Sequence, residues 1–308
     1  MTEKVKLNKK PEVGNPDPLY PEGLYKPEFL GGGNTIVTDS TTNVKIPVME
    51  PSYVRGSTFP TNAVSLPSKG LLYPFDSPLR QGYVEMKFMT AKEENILTTE
   101  SYINQGIVID KFLESMVVAP KFNFNELLSG DKDALIVASR IYGHGEIYNI
   151  EVTAPSGKKQ KLDIDLTTLE HKEFPENLYV NAENKFQYSF ENRFGHYDLT
   201  FKLLTGADNR KIEESLKKYK KVGTADKQVT TRLEHMILSV NGNSDPTFIK
   251  LFVENEFLSR DYRTFRDYVA SITPGVNFEI EVVDEETGDS FRSNVALGPD
   301  FFWPDIRI

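Results

Sequence analysis

The stretch Gly82-Tyr-Val-Glu-Met-Lys-Phe-Met-Thr90-Ala-Lys-Glu93-Glu-Asn-Ile-Leu97 contains the two periodicities that decide the fold. Up to Met89, apolar and polar residues alternate, as they do in a strand with one buried face. Thr90 and Glu93 then have the spacing of a capping box, in which side chains satisfy free backbone N–H groups at a helix start. A strand followed directly by a helix favours the mixed α+β class.

The same mixture continues through residues 62–206, which we interpret as one α+β domain. Asp131 precedes an apolar helical pattern, so it is predicted to be the N-cap of a helix. Two runs in which apolar and polar residues alternate lie on either side of Pro155-Ser156-Gly157, a turn sequence typical of a hairpin. The runs are 146–152 and 161–166. Further strands are predicted over 177–181, 185–190 and 197–204.

The last region, residues 207–308, is predicted to be mainly helical and to end in a β-hairpin. Helices are expected over about 207–222 and 227–240. A longer helix begins at Asp245-Pro246, an N-cap residue followed by proline at the first helical position. The hairpin strands are predicted over 276–283 and 291–297.

Apolar residues of this longer helix follow a heptad seam, because their spacings alternate between three and four residues. An amphipathic helix packed on its own domain would produce this pattern, and so would a coiled coil between chains. The sequence leaves both interpretations open. The seam consists of Phe248, Leu251, Asn255, Leu258, Tyr262, Phe265, Val269 and Ile272.

Residues 1–61 are rich in proline and contain Gly31-Gly32-Gly33, which predicts an extended N-terminal arm rather than a packed domain. A disordered tail is the alternative that this composition leaves open, although a purely solvated tail would not need aromatic residues. The arm contains several, which we predict to bind a partner. These arm residues are Tyr20, Tyr25, Phe29 and Phe59.

The C-terminal end places the chain's single tryptophan, Trp303, after Phe301 and Phe302. Terminal residues usually fray, so three adjacent aromatic rings are expected to be buried against something. The sequence allows docking onto the chain's own core or into a partner's pocket. We include all three in the predicted partner-binding set.

Composition narrows the classes of partner. The chain of 308 residues has a formal charge of −9 and a pI near 5.2, and this charge repels nucleic-acid phosphates and anionic membranes. Lysines within 211–221 alternate with glutamates, which is typical of a solvated helix face. No apolar run reaches the length of a membrane span and the start lacks a secretion signal, so a cytoplasmic protein is expected.

The sequence predicts no catalytic residue, no cofactor and no metal site. There is no cysteine, and no histidine has a histidine partner four residues away. Asp163 and Asp165 share one face of a predicted strand, which we interpret as a solubility pattern. A carboxylate-based hydrolase is the alternative that this pair leaves open. The histidines are His144, His171, His196 and His235.

Five stretches of the chain have packing and turn patterns that are shared with a known family: Leu66–Pro74, Met89–Leu97, Tyr148–Leu166, Arg260–Tyr268 and the Phe-Phe-Trp-Pro ending at 301–304. Together they resemble the baseplate hub subunit family of T-even-like contractile-tailed phages. The resemblance covers about residues 62–308 and does not depend on catalytic signatures. Many members carry a Cys-x-x-Cys knuckle in the central hairpin, where this chain has Thr153-Ala-Pro-Ser-Gly157.

This resemblance implies a non-enzymatic structural or assembly protein of the tail baseplate hub, built in the host cytoplasm and present in the virion. Its partners would be other baseplate proteins, with a homo-oligomer as a further possibility. A transient assembly chaperone that is absent from the mature virion is the alternative within the same pathway.

Overall fold

The computed structural model describes residues 60–119, 122–179, 183–222, 227–297 and 301–302. All of them belong to one compact unit, which spans Asn43–Ile308. This part of the chain mixes helices with small antiparallel sheets, so the predicted α+β class is confirmed. The predicted arm lies outside the described residues except for its last two positions.

The described strands form three antiparallel pairs and one three-stranded sheet, with the orders β1-β2, β3-β4, β5-β6-β7 and β8-β9. The predicted hairpin around Pro155 is present as β3 and β4, in which Ile150 lies opposite Leu162. The strands are β1 (Thr61–Ser65), β2 (Tyr83–Lys87), β3 (Ile147–Thr153), β4 (Lys159–Asp165), β5 (Phe186–Asn192), β6 (Gly195–Phe201), β7 (Ile237–Val240), β8 (Glu279–Val283) and β9 (Ser290–Asn294).

Eight α-helices lie in the described ranges, and short 3-10 turns lie between several elements. The segment predicted as a strand over 177–181 contains one of these 3-10 turns, Glu176–Tyr179. The helices are α1 (Ala91–Leu97), α2 (Glu100–Gln105), α3 (Val108–Met116), α4 (Ser129–His144), α5 (Gly206–Val222), α6 (Gln228–Met236), α7 (Pro246–Asn255) and α8 (Ser259–Ile272).

The capping box at the start of α1 is confirmed. The backbone N–H and the hydroxyl of Thr90 donate to Glu93 Oε2 at 3.1 and 2.5 Å. Glu93 also accepts from Lys87 Nζ at 2.8 Å and from Ser115 Oγ at 2.5 Å. The same carboxylate therefore caps the start of α1 and connects this helix to β2 and α3 by hydrogen bonds.

The role predicted for Asp131 is wrong. Helix α4 begins at Ser129 with Leu128 as its N-cap, so Asp131 lies within the first turn. Its buried carboxylate accepts from the Ser68 N–H at 2.9 Å, from Ser68 Oγ at 2.7 Å and from the Tyr73 hydroxyl at 2.5 Å. Because these donors lie far away in sequence, the helix start is held by a tertiary contact instead of a local cap.

The single long helix predicted from Asp245 to Ile272 is also wrong. It is divided into α7 and α8, and Phe257 lies between them with only 9% of its surface exposed. The Phe257 ring lies 5.4 Å from the Phe252 ring and 5.8 Å from the Phe265 ring. Burial of this ring favours the break, because it lets both helices face the same core.

One cluster of buried residues extends from Val64 to Phe302. It includes residues on both sides of the domain boundary predicted at 206/207. Strand β7, within the segment predicted as a helix over 227–240, pairs with β6 across that boundary. In the described part of the chain, the central and C-terminal regions therefore share a sheet and a core.

Candidate docking surface

Helix α7 has apolar side chains on two faces. Ile249, Phe252 and Val253 point into the core. Phe248 and Leu251, which we call the outer stripe of α7, are 37% and 53% exposed. Both belong to the seam that the sequence predicted, and the break after α7 leaves them uncovered within the described part of the chain.

The N-cap of α7 determines which of its residues face the core and which form the outer stripe. The Asp245 carboxylate accepts from the backbone N–H groups of Thr247 and Phe248, each at 3.3 Å. Pro246 occupies the first turn, where its missing N–H costs nothing. This N-cap was predicted from the sequence and is confirmed. It fixes where the helix begins, and so which residues form the outer stripe.

The neighbouring helix α6 has another exposed apolar side chain, Val229, which is 48% exposed. Lys227 Nζ lies 2.9 Å from Glu254 Oε1 and joins the start of α6 to α7. The hydrogen bond from Lys227 lowers the pKa of Glu254, so this pair is charged at neutral pH. A shallow cleft beside it is lined by Val229 and Thr230. Nothing in the sequence marked Val229, because a single valine in a polar helix carries no pattern.

Phe301 and Phe302 lie in the core of the chain itself, with 1% and 3% of their surfaces exposed. The Phe301 ring is 4.9 Å from the Tyr148 ring, and the Phe302 ring is 5.1 Å from the Phe112 ring. The structure therefore places these two predicted partner-binding residues inside the protein, which is the first of the two arrangements that the sequence allowed.

The other predicted partner-binding residues lie outside the described residues. Their role stays a prediction. They are Tyr20, Tyr25, Phe29, Phe59 and Trp303.

The histidines are dispersed through the structure. Burial lowers the pKa of His171 to about 4. It also lowers the pKa values of His144 and His235. His196 is exposed, with Nε2 3.1 Å from Asp198 Oδ1. Within the described ranges, no three His, Asp or Glu side chains come together as a metal ion would require.

The two carboxylates of β4 have separate hydrogen-bond partners. Asp165 accepts from the backbone N–H and the hydroxyl of Thr167, at 2.9 and 2.7 Å, and caps a short 3-10 turn. Asp163 accepts from the side chain of Asn149 on β3. Each carboxylate therefore has a local structural role.

No family model, curated protein or solved structure matches this chain. In the part of the chain that the structure describes, no helix is long and apolar enough to cross a membrane.

Proposed function

We propose that this protein works by docking onto other proteins, as a structural or assembly component of a contractile phage tail baseplate hub. The outer stripe of α7 is the observation that supports a docking role. The assignment to a phage baseplate depends on the resemblance in the stretches described above. Under this proposal the partners are other baseplate proteins, and the protein resides in the tail of the virion.

The outer stripe places two exposed apolar side chains next to each other on one helix face. Phe248 and Leu251 stand on a helix whose opposite face is buried, so they are presented on a rigid support. Burying one such side chain fully favours association by about 1.5–3 kcal/mol. Two side chains are too few for a stable interface, which usually includes roughly 20–30 residues on each side. The stripe would therefore be the apolar centre of a larger contact.

A co-migration experiment with the other baseplate proteins of the same phage tests this proposal. We expect the double variant Phe248→Glu/Leu251→Glu to lose at least tenfold in affinity, because it places two charges in the apolar centre. Val283→Glu is the control, since Val283 is 55% exposed on β8 and the substitution is of the same kind. Thermal melting should show that all variants are folded. Unchanged co-migration of the double variant would contradict a docking role for α7.

Mass spectrometry of purified phage particles separates the two roles within the assembly pathway. A hub component is present in finished particles. An assembly chaperone is found in assembly intermediates and is absent from finished particles. If the protein were absent from both, the baseplate assignment would be wrong, whatever the outer stripe binds.

A further inference from the structure

A group of exposed arginines lies where the β5–β6 turn meets the start of α8. We call Arg193, Phe194, Arg260 and Arg263 the arginine patch. Arg193 and Phe194 belong to the turn, and the other two lie in the first turns of α8. The Arg260 side chain is 80% exposed and Phe194 is 50% exposed. The patch therefore presents cations beside a half-exposed aromatic ring.

The two halves of the patch are held together by Asn192. Its side-chain amide donates to Asp261 Oδ2 at 2.8 Å and to the Glu256 carbonyl at 3.1 Å. Its Oδ1 atom accepts from the Phe194 N–H at 2.9 Å. Arg193 follows Asn192 directly and Arg260 precedes Asp261. The turn is thus fixed to the start of α8 before any partner arrives, which reduces the entropy lost on binding.

Two carboxylates beside the patch, those of Asp261 and Glu256, are already engaged. Asp261 is only 6% exposed and is held by Asn192, with Oδ1 3.6 Å from Arg260 Nε. Glu256 accepts from the Tyr197 hydroxyl at 2.7 Å.

Further along α8, Asp267 lies 2.9 Å from Arg266. Among the described residues, no carboxylate forms an ion pair with Arg193 or Arg263. These two guanidinium groups are free to bind a carboxylate from outside.

The aromatic ring adds an apolar element. The Arg193 guanidinium lies 4.8 Å from the centre of the Phe194 ring, and a guanidinium stacked on a ring can still donate the N–H groups that lie in its own plane. Arginine and aromatic residues are the types most enriched at the centres of protein interfaces. A guanidinium can bind a carboxylate through two parallel hydrogen bonds. Together these groups fit a ligand that carries carboxylates next to an apolar side chain.

We propose that the arginine patch binds an acidic segment of a partner protein that contains aromatic residues. Three arginines are too few for a nucleic-acid surface, on which about 6–10 phosphate contacts are common. The net charge of −9 also opposes a long polyanion more than a short acidic segment. This inference goes beyond the docking role of α7, since it concerns a different surface and does not require a phage assembly.

Fluorescence anisotropy with a labelled 12-residue peptide of alternating Glu, Asp and Phe tests the proposal on the full chain. We expect the variant in which all three patch arginines become glutamate to bind at least tenfold more weakly. The control makes the same change of charge at three exposed lysines, and we expect less than a twofold effect. The two variants are Arg193→Glu/Arg260→Glu/Arg263→Glu and Lys185→Glu/Lys211→Glu/Lys218→Glu.

Further measurements test whether binding depends on the acidic residues of the peptide and on the arginine patch. The wild-type protein should not bind the same peptide with Lys in place of its acidic residues, and it should bind a 12-nucleotide single strand more weakly than the acidic peptide. The α7 variant Phe248→Glu/Leu251→Glu should keep its affinity for the acidic peptide. Equal losses in the arginine and lysine variants, tighter binding of the oligonucleotide, or no binding by the wild type would each overturn the proposal.

Discussion

Two carboxylates of this protein are both closed off from solvent, yet their pKa values are shifted in opposite directions. Glu93 and Asp131 are both 0% exposed. Burial raises the pKa of Asp131, and its hydrogen bonds from Ser68 and Tyr73 do not reverse that effect. Burial also acts to raise the pKa of Glu93, but hydrogen bonds from Lys87, Ser115 and Thr90 outweigh it and lower the pKa to about 2.

The difference follows from the donors that surround each group. Glu93 has a cation, Lys87, at 2.8 Å, and that side chain is itself only 12% exposed. The hydrogen-bond donors to Asp131 are neutral hydroxyl and amide groups. Asp131 also lies deeper in the protein than Glu93, so the charge of each carboxylate depends on both its depth and its donors. Near Glu93 the protein keeps an ion pair inside, and near Asp131 it keeps a network of neutral donors.

The largest expected effect is that of Asp131→Ala. This change removes three hydrogen bonds at once and leaves the Ser68 and Tyr73 donors buried without an acceptor. We expect the free energy of unfolding to fall by about 3–5 kcal/mol, measured by chemical denaturation. Asp163→Ala, on the exposed face of β4, should change it by less than about 0.5 kcal/mol. A loss as small as that control would mean that the network does not stabilise the fold.

A smaller effect is expected for Glu93→Gln. The amide can still accept from Thr90, but the Lys87 ammonium loses the negative charge that lies 2.8 Å away, in a poorly solvated position. We expect a loss of about 2–3 kcal/mol. Glu114→Gln, which breaks the exposed pair with Lys111, is the control and should cost less than about 1 kcal/mol.

The pH dependence of this variant has a defined sign. The pKa of Glu93 is about 2 in the folded chain against 4.5 in the reference state. Its stabilisation is therefore complete above pH 4.5 and is lost as the pH falls toward 2. The gap between wild type and Glu93→Gln should close over that range. For Asp131→Asn the sign is opposite, because a raised pKa favours the wild type as the pH falls.

The smallest effect should come from Ser115→Ala, which removes one of the donors to Glu93 and leaves Lys87 and Thr90 in place. We expect a loss of about 0.5–1.5 kcal/mol in the free energy of unfolding. A pH titration should show the pKa of Glu93 moving upward. If the variant were as damaging as Glu93→Gln, the ion pair with Lys87 could not be the main source of stability there.

The sequence predicted one of these two regions and not the other, for a physical reason. Thr90 and Glu93 interact across three residues, so their spacing alone indicates the capping box. Asp131 has the residue type and position of an N-cap, but Ser68 and Tyr73 lie far away along the chain. A local pattern contains no information about which distant donor will reach a carboxylate.

Contacts between distant residues also explain which parts of the candidate surfaces the sequence did not predict. The heptad spacing placed Phe248 and Leu251 on the packing seam, but the buried face of α7 consists of Ile249, Phe252 and Val253. The spacing did not indicate the break at Phe257, which depends on rings from other elements. The arginines of α8 were visible in the sequence, but the turn at Asn192 that brings Arg193 beside them was not. The β3–β4 hairpin and the caps at Thr90 and Asp245 are local and could be predicted, whereas the joining of separate elements could not.

The burial of Phe301 and Phe302 has a consequence for how the protein is made. Phe112 is synthesised well before the ring that packs on it, Phe302. At about 5–20 residues per second, the ribosome needs on the order of ten seconds or more to make the chain between them. During that time the part of α3 that Phe302 covers stays exposed, so the nascent chain is open to chaperones and to aggregation until Phe302 emerges.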